Sequence, residues 1–138
     1  VYGPWGRPDM AVYKFSRQLN LNQIVDIYNR GNHSRDFSYI DDTVKSISLI
    51  IKNFKKLNQY QLLDIGKGKN DSLKNLIYFI EKNFNKKIKV NKISMQKGDV
   101  KITKANIEKL KKITNYIPNT NLRVGIKNFV KWYKGYHK

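Results

Sequence analysis

The chain has no cysteine and only two histidines. Zero cysteines excludes disulfides and thiolate metal sites. His33 and His137 stand singly, in polar or terminal settings and without a partner at metal-ligand spacing, so no metal is predicted. Acidic residues are scarce, 10 against 28 Lys and Arg, which leaves a formal net charge of +18. No apolar run approaches the roughly 20 residues needed to cross a bilayer. Near Val1, glycines and prolines interrupt anything like the apolar stretch of a signal peptide. There is no initiator Met, and Val1-Tyr2 reads as the end of a strand entered from upstream. The absence of cysteine fits a cytoplasmic location. Internal repeats, low-complexity linkers and a domain boundary are also missing, which leaves residues 1–138 as one domain.

The basic excess is spread along the whole chain. Small clusters occur only at Phe54-Lys55-Lys56, Asn85 to Lys89 and Lys109 to Lys112. Nucleic-acid binding needs Lys and Arg gathered on one face to neutralise phosphates, and this dispersed Lys/Asn/Ile-rich composition resembles a chain-wide bias. It still favours loose, salt-sensitive association with polyanions. Hydrophobic content of 40% and aromatic content of 12% argue for a packed core.

Two of the three prolines fall within the first eleven residues, in Val-Tyr-Gly-Pro-Trp-Gly-Arg-Pro-Asp-Met-Ala. Proline fixes φ and glycine opens conformations closed to other residues, so this is a shaped loop leading into a helix. From about Met10, the residues Ala11, Val12, Phe15 and Leu19 recur at helical spacing. Ile24 to Tyr28 reads as a strand, stopped by Asn29-Arg30-Gly31-Asn32, and Arg35 to Ile40 as a second extended stretch with Phe37 and Tyr39 on one face. Asp41 or Asp42 is expected to cap the next helix, whose apolar stripe is Val44, Ile47, Ile51 and Phe54. Leu62 to Ile65 is a nearly continuous apolar run closed by Gly66, the pattern of a strand buried on both faces of a parallel sheet. Asp71 or Ser72 caps a helix with Leu73, Leu76, Ile77, Ile80 and Phe84 inward. Ile88 and Val90 alternate with polar residues as a half-exposed strand. A modest helix carries Ile107, Leu110 and Ile113, and a last one carries Leu122, Ile126, Phe129, Val130 and Tyr133. The order is mixed α/β with too few strands for a self-sufficient sheet.

The segment Tyr2 to Ala11 closely resembles one in the UDP-glucuronate 4-epimerases, extended short-chain dehydrogenase/reductases that act on nucleotide sugars. The resemblance continues through Arg35-Asp36-Phe37-Ser38-Tyr39-Ile40-Asp41-Asp42, Asp64-Ile65-Gly66 and Gln96-Lys97-Gly98-Asp99-Val100 to Gly125-Ile126 and Phe129 to Tyr133. It implies the C-terminal, substrate-binding portion of such an enzyme. Its strands would complete an NAD-binding Rossmann sheet supplied mostly from upstream, and an exposed docking face would be left on this chain. NAD would be bound mainly by that upstream half, and the Gly-rich dinucleotide turn and catalytic Tyr-x-x-x-Lys pair are expected there too. No catalytic residue is therefore assigned, this portion alone is expected to be inactive, and the whole enzyme is implied to be a homodimer. Gly66-Lys67-Gly68-Lys69 has neither Rossmann nor Walker spacing and reads as a turn.

For the substrate, the resemblance implies that Arg7 clamps the uronate carboxylate as a bidentate pair. By the same resemblance, Tyr2, Gly3 and Pro4 would shape the loop against the nucleotide sugar, and Arg35 would grip the diphosphate. Gln96 and Asp99 lie where the family closes over the nucleotide. Asp36 is expected to fix that Arg or a backbone turn, and the family pattern implies that Lys14 and Phe15 line the uracil end, with Phe15 foremost a core residue. Two other readings remain. One is a different NAD-dependent sugar-nucleotide epimerase or dehydratase acting on a neutral sugar. The other is a small basic module for nucleic acid or anionic surfaces.

Overall fold

The computed structural model describes residues 1–57 and 60–137. Helix α1 (Ala11–Asn20) buries Val12, Phe15 and Leu19 and leads into strand β1 (Ile24–Ile27), whose alternation turns Val25 and Ile27 inward. Short strand β2 (Ser34–Arg35) precedes α2 (Ile40–Lys52). Strand β3 (Asp71–Ser72) runs directly into α3 (Leu73–Phe84), where the Ser72 hydroxyl accepts from the Asn75 N–H at 3.1 Å as an N-cap. Strand β4 (Lys89–Lys92), the short α4 (Glu108–Thr114) and α5 (Leu122–Tyr136) complete the chain. Among the described residues no helix is long and apolar enough to cross a membrane.

Two small sheets form among the described residues. β1 and β4 pair in parallel, with Val25 opposite Val90, and β2 and β3 pair antiparallel, with Arg35 opposite Asp71. The core lies where α3 packs on α5 and α1 packs on α3 and β1, around Phe129, Leu76, Ile80, Ile126 and Val25. Tyr2 belongs to this core. Its backbone bridges to the stretch before α2 through Tyr2 N to Ser38 O and Ile40 N to Tyr2 O, both at 2.9 Å. Its ring meets Tyr39 edge-on at 5.5 Å and lies so close over Gly125 of α5 that a Cβ there would run into the phenol. Glycine is the residue that lets this ring and helix approach.

The expected helices α1, α3 and α5 form with their apolar stripes inward. Three expectations need correction. Leu62 to Ile65 forms no strand, and Leu62 is exposed. A parallel strand requires neighbours, and no described strand pairs with this run. On α2 the apolar stripe faces outward: Ile47 is 45% exposed and Phe54, just beyond the helix, 72%, whereas the buried residues of α2 are Asp42 and Ser46. Neither Asp41 nor Asp42 caps that helix, because Tyr39 is the N-cap residue and no side-chain cap bond forms.

Asp42 instead joins α2 to the segment between α4 and α5. At 8% exposure it accepts from the Tyr116 hydroxyl at 2.6 Å and the Thr120 N–H at 2.8 Å. Burial alone would raise its pKa, but these hydrogen bonds outweigh burial and hold the carboxyl below its ordinary value. The stability it contributes is therefore present above the ordinary carboxylate range and is lost as pH falls through the lowered value. Asp42→Asn should destabilise the chain by about 2 kcal/mol near neutral pH, since an amide that turns its oxygen to the Thr120 N–H presents its NH2 to the Tyr116 hydroxyl, which loses its acceptor. Urea unfolding should also lose part of its pH dependence below about pH 4. An unchanged acid limb in the variant would remove Asp42 from that role.

Candidate functional site

A cleft of about 220 Å³ opens between α1, the end of β1, β2 and the segment that carries Asp99. Lys14 and Phe15 reach it from α1, His33, Arg35 and Phe37 from the stretch around β2, and Asp99 from the segment bonded to β2. Two cations, aromatic rings and three carboxylates, Asp9, Asp26 and Asp99, thus converge on one half-open hollow, a composition suited to a polar ligand.

Arg35 is held on three sides. Its guanidinium donates to Ser34 O at 3.1 Å, to Lys101 O at 3.0 Å and to Asp99 Oδ1 at 2.8 Å. The same Asp99 oxygen accepts from the Val100 N–H at 2.8 Å, and the other, Oδ2, lies 3.2 Å from His33 Nε2. The segment carrying Asp99 is tied to β2 by Ser34 N to Lys101 O at 3.0 Å and Thr103 N to Ser34 O at 3.2 Å. The cleft wall is therefore continuous with the sheet.

Asp36 points elsewhere. Its carboxylate accepts from the N–H groups of Lys67 at 2.9 Å, Gly68 at 2.8 Å and Ala105 at 3.2 Å, so it fixes backbone turns and leaves Arg35 to Asp99. The Gly66–Lys69 turn consequently has its N–H groups at Lys67 and Gly68 turned onto a carboxylate, the opposite of a phosphate cradle.

The opening loop is closely packed and closed by a turn. Gly3, at φ 145°, lies against Ile40, and the Gly6 N–H closes the turn on Gly3 O at 3.1 Å. Pro4 is half-buried. Trp5, though 73% exposed, sets its ring 5.4 Å from Trp132 and 4.9 Å from Tyr136 on α5. Arg7 grips Asp9 with two bonds, Nε to Oδ1 at 3.1 Å and NH2 to Oδ2 at 2.6 Å. That pair raises the pKa of Arg7 and lowers that of Asp9.

Of the residues singled out in the sequence, Arg35 and Asp99 meet at the cleft, and Lys14 and Phe15 line it. Arg7 does not line it but is paired to Asp9, which does. Tyr2 and Gly3 are buried behind the loop, and Gln96 stays exposed, its carbonyl accepting from the Asp99 N–H at 3.3 Å. Sequence reasoning missed His33, which is buried instead of solvated. Its spacing from Arg35 was the available signal, because residues two apart in an extended segment share a face. The Tyr-x-x-x-Lys spacing, expected upstream, also occurs once within this chain, at Tyr78 and Lys82 on α3. Lys82 Nζ sits 6.0 Å over the Tyr78 ring beside a separate groove that shares no lining residue with the cleft.

The profile of the NAD dependent epimerase/dehydratase family matches residues 1–66. The chain is 37% identical over 135 residues to a UDP-glucuronate 4-epimerase of Thermodesulfobacterium geofontis, covering 97% of this chain and 41% of that protein. It is 36% identical to Protein CapI of Staphylococcus aureus, covering 100% of this chain and 46% of the relative. It therefore spans less than half the length of these curated relatives. Among solved structures, a UDP-glucuronic acid 4-epimerase variant from Bacillus cereus, in complex with UDP-4-deoxy-4-fluoro-glucuronic acid and NAD, aligns with a TM-score of 0.89 and 28% identity. That alignment covers 98% of this chain and 43% of the solved one. In sequence and in its α/β architecture, which matches the C-terminal part of these enzymes, the chain belongs to the NAD dependent epimerase/dehydratase family.

Proposed function

We propose that residues 1–138 are the substrate-binding portion of an NAD-dependent nucleotide-sugar epimerase whose substrate is UDP-glucuronate. The observation that carries this reading is the meeting of Arg35, Lys14, Phe15 and Phe37 at one cleft. A guanidinium and an ammonium suit a diphosphate, and aromatic walls suit a base. In this reading Arg35 grips the diphosphate and Phe15 and Lys14 face the uracil. Tyr2, Gly3 and Pro4 hold the loop, and Gln96 and Asp99 belong to the segment closing over the nucleotide. Arg7 binds the uronate carboxylate, which takes over or shares the place that Asp9 occupies.

The described residues do not fit NAD. Their one Gly-x-Gly turn is bound to Asp36, and the Tyr78–Lys82 pair lies away from the cleft. Cofactor and catalytic pair are accordingly assigned to the part of family enzymes that this chain does not span. The same part is assigned to cover the outward apolar stripe of α2 and the unpaired run at Leu62 to Ile65. Among the described residues the α2 stripe is exposed and no strand pairs with Leu62 to Ile65, and an apolar helix face and an unpaired apolar run are what a neighbouring α/β sheet would cover.

Arg7 tests the sugar. In the full-length protein, Arg7→Ala should weaken UDP-glucuronate about 10-fold or more by calorimetry and UDP-glucose less than about 2-fold, because only the uronate offers a carboxylate. Equal losses would exclude the carboxylate role and favour a neutral sugar. No binding of either by the unaltered protein would overturn the nucleotide-sugar reading.

A further inference from the structure

His33 is buried at the cleft and has no part in the reading above. Its side chain is 6% exposed, and Nε2 makes no aligned hydrogen bond although Asp99 Oδ2 is 3.2 Å away. Asp99 is divided. Oδ1 is taken by Arg35 and the Val100 N–H, and Oδ2 faces the imidazole. The Leu73 N–H at the start of α3 donates to the His33 carbonyl at 2.9 Å, which fixes the backbone from which the ring projects.

Around the cleft, the charged or titratable groups besides His33 are Asp9, Lys14, Asp26, Tyr28, Arg35 and Asp99. Asp9 is already paired with Arg7, and Asp26 accepts from the Asn91 amide at 2.9 Å. Asp71, opposite Arg35 in the sheet, is bound by Lys67. The balance nearest His33 is therefore set by Arg35 and Asp99, which cancel while the imidazole is neutral. A proton on His33 leaves the trio with one positive charge and gives Asp99 a second cationic partner.

We propose that His33 is a positioning residue: when protonated it takes the free oxygen of Asp99, and so sets how much of the Arg35 charge is left for an anionic diphosphate in the cleft. This rests on the diphosphate reading of that cleft. Binding of the anion and protonation of His33 then favour each other, and the coupling is reciprocal. Affinity for the diphosphate falls as pH rises through the range in which imidazoles lose their proton.

The probe is UDP-glucose, whose doubly esterified diphosphate keeps its charge across that range. With the full-length protein, calorimetry between about pH 5.5 and about pH 8.5 should give binding roughly 5-fold tighter at the acid end. His33→Asn, which keeps a polar group but no titration, should flatten the profile. Asp99→Asn, which removes the shared charge, should flatten it independently. In the unaltered protein, the NMR titration of the His33 ring should move to higher pH when UDP-glucose is bound, a change that a merely structural histidine would not make. An unmoved ring titration, or His33→Asn retaining the original slope, overturns the proposal while leaving the site intact. If UDP-glucose does not bind, UDP-glucuronate, whose carboxylate and diphosphate also keep their charge across that range, takes its place in the same series; failure of both to bind at any pH overturns the site and this proposal with it.

Discussion

Arg35→Ala should weaken UDP-glucose binding by about 100-fold, the larger part of it from charge. Two effects add. The diphosphate loses a cation held in place by Ser34 O, Lys101 O and Asp99, and it gains an uncompensated carboxylate, because Asp99 no longer has Arg35 at 2.8 Å. The second effect can be separated from the first. Arg35→Ala combined with Asp99→Asn should bind several-fold better than Arg35→Ala alone, a non-additive recovery expected of groups in direct contact. Arg35→Lys should lie between wild type and alanine, since an ammonium keeps the charge but cannot serve three acceptors in the planar fork. Calorimetry at a fixed salt concentration measures all of these. A loss of less than about 3-fold in Arg35→Ala would place the diphosphate elsewhere, and absence of recovery in the double variant would mean that Asp99 does not face the anion.

The local pattern made some of this legible and left the rest hidden for identifiable reasons. Helices α1, α3 and α5 follow from apolar spacing alone, because each finds its partner within the chain. The stripe on α2 has the same spacing but lies open. Periodicity reveals which face is apolar, not whether the covering element belongs to the same stretch of sequence. Leu62 to Ile65 misled for the same reason, since a strand is a property of a pair. The acidic residues show the opposite failure. Asp36 follows Arg35 directly and invites an ion pair, yet neighbours in an extended segment point to opposite faces. The partner of Arg35 is Asp99, 64 positions away. The same alternation puts His33 and Arg35 on one side, a relation that composition and motif spacing do not express.

Asp36→Ala should cost about 3 kcal/mol of stability, more than any other single change considered, although it touches no part of the cleft. The carboxylate satisfies three backbone N–H groups in two separate segments, those of Lys67, Gly68 and Ala105. Gly66 packs close against the same side chain, so removing it leaves a space too crowded by backbone to be refilled simply. Asparagine is a poor substitute, because one of its two terminal atoms is itself a donor and must face an N–H. Asp36→Asn should therefore recover less than half of the loss. The defect should also reach the cleft. Ala105 lies in the same segment as Lys101, whose carbonyl holds Arg35 at 3.0 Å, and freeing one end of that segment loosens the other. Urea unfolding of Asp36→Ala should show the lowered stability, and nucleotide affinity at a temperature where it remains folded should fall a few-fold. Stability within about 0.5 kcal/mol of wild type would mean that water satisfies those N–H groups and that the turn at Gly66 to Lys69 does not depend on Asp36.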